Sequence, residues 1–211
     1  MKLLYTPIER YVHTAEAVIN YAGLRHRVEP VATKPFDHDT GLPAINPVGK
    51  VPTLILDDGE YLAGGPVIYE YLDSLHDRPH LYPRQGRHRY TVLREAWMAD
   101  ALFDQFVLLI IEGWLYPERQ RQDHVVRCWA KVIGILDQME RDANGYEDLD
   151  IAQVRGVGAL SFVDLKMRQV GEQVSGIDPA YDWRQGRPTL SRWYGVLSVD
   201  PVFQTPLLPW D

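Results

Sequence analysis

The 211-residue sequence predicts an α/β half followed by an all-helical half. Three observations carry that expectation. Short β-branched runs, one helical stretch and an Asp-Gly hairpin alternate before residue 77. A turn-rich segment without periodicity spans 78–86, and from 87 onward apolar residues recur only at helical spacing. The expected division is therefore residues 1–77, a linker at 78–86, and a helical domain at 87–211.

Lys2-Leu3-Leu4-Tyr5 is a short strand. Thr6 as N-cap, Pro7 at the first helical position and Glu9 three residues after the Thr form a capping box. Val12, Ala15, Val18, Ile19 and Ala22 continue at helical spacing to a stop at Gly23. Arg25 to Val31 supplies a second strand, which a right-handed crossover sets parallel to the first. Thr33 to Ile45 reads as loop with at most a short helix. Thr53–Leu56 and Tyr61-Leu62 flank Asp57-Asp58-Gly59-Glu60, a strong hairpin signal. Gly64-Gly65-Pro66 then opens a helix with Val67, Ile68, Tyr71, Leu72 and Leu75 on one face. The order is β-α-β-(α)-β-β-α.

Beyond the linker, Arg87 to Glu112 is a long helix, interrupted at Pro117, and Val125 to Met139 a second that ends near Asn144-Gly145. Ser161-Phe162-Val163-Asp164 reads as a third helix start, with Ser as N-cap and an acid three residues later. Pro188 opens a further amphipathic helix, and Asp200-Pro201-Val202-Phe203 a short turn.

With 45% hydrophobic and 24% charged residues the composition is that of an ordinary globular protein. Twenty-two basic against 29 acidic residues leave a net charge of −7, which argues against a nucleic-acid groove or an anionic membrane surface. Cys128 is the only cysteine, so a reducing compartment is the simpler assumption, and the cytoplasm is expected. The apolar run at the N-terminus is too short for a signal peptide, no stretch approaches the roughly 20 apolar residues of a membrane span, and no Cys/His spacing points to a metal.

Asn46-Pro47-Val48-Gly49-Lys50-Val51-Pro52-Thr53-Leu54-Ile55-Leu56 delivers a constrained loop into a strand. Pro52 lacks a donor and suits a strand's first position, and it forces Val51 into an extended conformation with N–H and C=O outward. A cis Val51–Pro52 bond would present that edge to an extended peptide; a plain tight turn before the strand is the other reading.

This motif, with Ile68-x-x-Tyr71-Leu72 beyond it, resembles the glutathione transferase family. Leu160 to Asp164, Arg187-Pro188 through Trp193 and Asp200-Pro201-Val202 resemble landmarks of that family's second domain. The resemblance implies a thioredoxin-like N-terminal domain, an all-α helical-bundle C-terminal domain, glutathione as co-substrate, and a homodimer. It assigns Val51 and Pro52 to main-chain pairing with the cysteinyl part of glutathione, and Lys50 to a carboxylate of the ligand. Thr6 stands where the family places the hydroxyl that activates the thiol, whose free pKa of about 8.5 must fall for attack on electrophiles. A helix cap is the structural alternative for Thr6, and solvation for Lys50. Tyr11, Trp97, Phe103, Trp114 and Tyr116 are candidates to line a pocket for a small hydrophobic electrophile, against core packing. Cys128, among Val125, Trp129 and Val132, reads as a buried hydrophobe.

Gly64-Gly65 departs from the resemblance, which implies an acid for the γ-glutamyl ammonium and a serine for its carboxylate at these two positions. Losing one charge-assisted hydrogen bond costs about 1.5–3 kcal/mol, roughly ten- to a hundredfold in affinity. The main-chain N–H groups that open the next helix remain for a carboxylate. Asp100 and Asp104 are the candidates to replace the acid. Three functions follow: conjugation of glutathione to a small electrophile, a transferase fold with weakened glutathione binding that serves as a ligand- or protein-binding module, or catalysis on a different thiol compound or substrate, where a ligand without the γ-glutamyl amine would not miss the acid.

Overall fold

The computed structural model describes residues 1–6, 11–35, 37, 40–146 and 148–204, with the side chains of 11–13 outside that description. The capping residues Pro7 and Glu9 lie outside it as well. The chain divides into two compact units, Met1–Tyr82 together with the stretch from Val199, and Pro83–Ser198.

The first unit contains β1 (Lys2–Tyr5), α1 (Tyr11–Ala22), β2 (Glu29–Ala32), α2 (Leu42–Ile45), β3 (Thr53–Ile55), β4 (Tyr61–Ala63) and α3 (Gly65–Asp73). The sheet order is β2-β1-β3-β4, with β1 and β2 parallel and the other pairs antiparallel, the mixed sheet of a thioredoxin-like domain. Pro30 is tolerated because β2 is an edge strand. Leu3 and Leu54 on the sheet, Ile19 on α1 and Ile68 and Leu72 on α3 are fully buried, each contributing about 1.5–3 kcal/mol of transfer free energy. The Asp-Gly hairpin forms as expected, with Gly59 at φ 89°.

Two boundaries differ from the sequence expectation. The first residues of the expected 78–86 linker belong to the first unit, where Leu81 and Tyr82 are buried and donate their amides to the Asp73 carboxylate at 2.9 and 3.1 Å. The expected 87–211 domain also loses its last part. From Val199 the chain packs with the first unit, a 3₁₀ turn at Pro201–Phe203 meets α1, and Asn20 Nδ2 donates to the Val202 carbonyl at 3.0 Å.

The second unit is helical: α4 (Gly86–Leu115), α5 (Gln122–Asp142), α6 (Ile151–Gln173) and α7 (Pro188–Leu197), with α4 packed on α5 and α6. Ser161 does not start a helix. It lies inside α6, where its hydroxyl pairs with Tyr194 Oη at 2.8 Å, and Asp164 accepts from Trp183 Nε1 at 2.8 Å. The true cap is Asp150, whose carboxylate accepts from the Gln153 amide at 3.0 Å. Ile151 through Val163 are all buried, so this stretch shows no amphipathic stripe, and its glycines disguise it further. Gly156 lets the Trp193 ring pack closely, since an added Cβ would stand 3.0 Å from it.

The end of α5 holds the start of α7. Glu140 accepts from the Thr189 and Leu190 amides at 3.1 and 2.6 Å, and Arg187 binds Asp137, the Trp183 carbonyl and Tyr181 Oη. Burial pushes the Glu140 carboxyl up, but those two amides, the Thr189 hydroxyl and the Arg187 charge together outweigh it and hold the group below the usual glutamate value.

Candidate functional site

β1 pairs β3 with Leu4 opposite Thr53, and β3 pairs β4 with Thr53 opposite Ala63. Thr6 follows β1 by one residue, Val51 precedes β3 by two and Gly65 follows β4 by two, so the three stand in strand order, as a row, at the same end of the sheet. Neighbouring strands lie about 4.8 Å apart, so the row is about 10 Å wide, the length of about three residues of extended peptide.

Asn46, the first residue of the loop motif and given no role of its own in the sequence, organises the middle of this row. It is buried, its Oδ1 accepts from the Val48 amide at 3.0 Å, and its Nδ2 donates to the Lys50 carbonyl at 3.1 Å and to Thr53 Oγ1 at 3.0 Å. Thr53 Oγ1 donates to the same carbonyl at 2.8 Å. These bonds fix the main chain of Lys50 while its side chain remains exposed to solvent. The Val51–Pro52 bond is cis. Among the described residues no hydrogen bond occupies the Val51 N–H or C=O.

Thr6 is buried, and its Oγ1 donates to the Thr33 carbonyl at 2.8 Å. A hydroxyl has a single proton to donate, so in this arrangement a sulfur beside Thr6 meets an oxygen whose proton is already committed. The adjacent Tyr5 phenol is raised, by burial first and by the Glu16 carboxylate second.

At the third position of the row Gly64 has φ 87°, a conformation that side chains rarely adopt, and Gly65 is buried. A Cβ added at Gly65 would lie 2.6 Å from Tyr69 Oη and 2.8 Å from Tyr69 Cζ. Residues four apart share a helix face, which is the signal in the sequence that pairs these two positions. The first turn of α3 presents the N–H groups of Gly65 and Val67, Pro66 having none.

Most of the remaining candidates belong to the second unit. Phe103 is in the core of the second unit, its ring 4.4 Å from that of Phe162. Trp97 and Trp114 are both exposed on α4, and 17 residues at 1.5 Å each separate them by about 25 Å, too far to line one small pocket. Tyr116 is exposed, with the Arg121 guanidinium 5.4 Å from its ring centre. Tyr11 begins α1, and its side chain lies outside the described residues. Asp100 is bound by Arg155, whose Nε donates to it at 2.8 Å, and Asp104 is exposed. Cys128 is buried 3.6 Å from His124 Nε2, and burial pushes its thiol up, the opposite of activation.

Asp73, His76 and His80 bring a carboxylate and two imidazoles within 4.8 Å of one another. His76 Nδ1 accepts from the Arg78 amide at 3.0 Å, which leaves the proton on Nε2, facing Asp73 Oδ1 at 3.2 Å. His80 Nδ1 meets the Asp73 carbonyl at 2.8 Å. This suits a clip that holds the turn after α3 and does not suit a metal bond from His76 Nε2.

The same architecture is found elsewhere. The glutathione S-transferase N-terminal domain model matches residues 10–75. A glutathione transferase family member from Pseudomonas fluorescens Pf-5, crystallised with bound glutathione, superposes with a TM-score of 0.82 at 30% identity over 96% of each chain. The chain belongs to the glutathione transferase family. A second glutathione transferase, from Methylobacillus flagellatus KT with glutathione bound, gives a TM-score of 0.84 at 28% identity, again over 96% of each chain. Among curated relatives, the GST-like protein YibF of Escherichia coli K12 is 29% identical over 106 residues, 50% of this chain and 52% of that protein. Maleylacetoacetate isomerase of Pseudomonas aeruginosa is 33% identical over 103 residues, 47% of this chain and 49% of that enzyme. The chain therefore spans about half the length of these curated relatives. Among the described residues, no helix is long and apolar enough to cross a membrane.

Proposed function

We propose that the first unit binds glutathione as an extended peptide along the Thr6–Val51–Gly65 row, and that the protein joins its sulfur to a small hydrophobic electrophile. The row carries the proposal: three strand ends converge over the length of a short peptide, and Val51 offers an unoccupied main-chain N–H and C=O among the described residues. Likeness to two glutathione-bound structures over nearly the whole chain supports it. Val51 pairs with the cysteinyl residue, the Lys50 ammonium meets a ligand carboxylate, and Thr6 faces the sulfur. In the reaction the thiol gives its proton to solvent, the thiolate forms a C–S bond, and the electrophile's leaving group or π bond takes the displaced electron pair. To stabilise the thiolate, Thr6 Oγ1 turns its proton from the Thr33 carbonyl to the sulfur. A cytoplasmic homodimer belongs to the same proposal, on family grounds.

Thr6→Val removes the hydroxyl and keeps the shape. The expected outcome is a conjugation rate about ten- to a hundredfold lower at unchanged glutathione affinity, read by a chromogenic electrophile assay and titration calorimetry. An unchanged rate with an intact fold removes Thr6 from the mechanism. The second reading, a module that holds a ligand without conjugating it, is favoured by the Thr6–Thr33 bond and by the bare Gly64-Gly65 corner. No glutathione binding at millimolar concentration selects that reading.

A further inference from the structure

The glycine pair at the head of α3 has two separate physical causes. At Gly64 the backbone sits at φ 87°, so an acidic residue there is strained before any contact is made. At Gly65 the backbone is ordinary and the obstacle is Tyr69. Its ring is fully buried one turn along the same helix, and its Oη lies 2.6 Å and its Cε2 3.0 Å from where a Cβ would be. Contacts that close require something to shift, and Tyr69 has no exposed surface through which to move away.

We infer that Tyr69 determines specificity at this corner: its ring takes the volume of any side chain at position 65 and keeps the head of α3 as bare main chain, so that the site receives a thiol peptide's terminal carboxylate without a contact specific to its ammonium. The inference rests on the function proposed above and refines its substrate class. The N–H groups of Gly65 and Val67 are donors and attract an anion, and the helix dipole adds to that attraction. Neither glycine of the pair brings a side-chain carboxylate to an ammonium, and the Gly64 carbonyl already accepts from the Ile68 amide at 3.2 Å. The ligands that fit are thiol peptides and thiol acids with a terminal carboxylate, whether or not an amine accompanies it. Tyr69 is a positioning residue here: it shapes the corner from beneath, through Gly65.

Two measurements test this on the full chain. The first compares, by titration calorimetry on the unaltered protein, glutathione with its desamino analogue, in which the γ-glutamyl amine is replaced by hydrogen. Affinities within about threefold are expected. An analogue at least tenfold weaker shows that an acid reaches the ammonium, and overturns the inference. The second is a cycle of melting temperatures over Gly65→Ser, Tyr69→Leu and the double variant. Leucine keeps much of the buried volume and removes the ring atoms that crowd position 65. Gly65→Ser is expected to lower Tm by about 5 °C in the native background and by about 1 °C in the Tyr69→Leu background. Equal losses in the two backgrounds overturn the steric lock, whatever the ligands do. Failure of both tripeptides to bind, with the cycle still non-additive, overturns the proposed function and the ligand half of the inference while the lock stands.

Discussion

The starts of α3 and α7 make an instructive pair. Both helices open on a proline in the first turn, so each has already given up one amide that no helix bond would use. At α7 the next two amides, of Thr189 and Leu190, are taken by the Glu140 carboxylate of the same unit, with Arg187 fastened beside it. At α3 the two residues before the proline are glycines set against the flank of a tyrosine, and no side chain among the described residues caps the helix. A helix start filled by the protein's own carboxylate is a structural joint. One left as main chain suits a carboxylate brought from outside.

Three substitutions set that contrast at risk. The largest effect is expected from Glu140→Ala, which strips both capping bonds and leaves the α7 amides unpaired in a half-buried place, at a cost of about 2–3 kcal/mol. Urea unfolding measures it, and a loss below about 0.5 kcal/mol would mean that α7 is no more closed than α3. Next is Gly64→Ala, at about 1–2 kcal/mol. Its φ of 87° opposes any Cβ even though the space around it is empty, so the loss appears without a ligand. No loss would show that the corner can relax. The smallest effect is a pH dependence. Because the Glu140 carboxyl is held below its unfolded value, its contribution is complete above about pH 4.3 and fades as the pH falls further through the folded value. Stability curves of the native protein and Glu140→Gln should therefore lie apart at about pH 6 and converge as the pH drops below about 4. Parallel curves would assign the α7 joint to something other than this charge.

Much of the architecture was legible because its signals are local. The Asp-Gly hairpin, the parallel β1–β2 unit and the amphipathic stripes of α4 and α5 all follow from residues close together in the chain. The head of α6 was not legible because Ile151 to Val163 are buried on every side, and helical periodicity shows only when one face meets water. The candidate corner divides in the same way. Val51 and Pro52 were marked by turn chemistry, and Lys50, Gly64 and Gly65 by the resemblance to the family. The Thr6–Thr33 bond was hidden because it joins residues that only the fold brings near, whereas Asn46 and Tyr69 act on residues close in the chain through loop and helix geometry that residue type alone does not show. Trp97 and Trp114 were grouped by residue type, and helix geometry separates them.

The segment from Val199 has a bearing on how the protein is made. A ribosome emits the sheet and its helices first, then all of Pro83–Ser198, and only afterwards the turn that Asn20 holds against α1. Throughout that interval the nascent first unit lacks its final piece, and its side of α1 stands open to chaperones or to neighbouring chains.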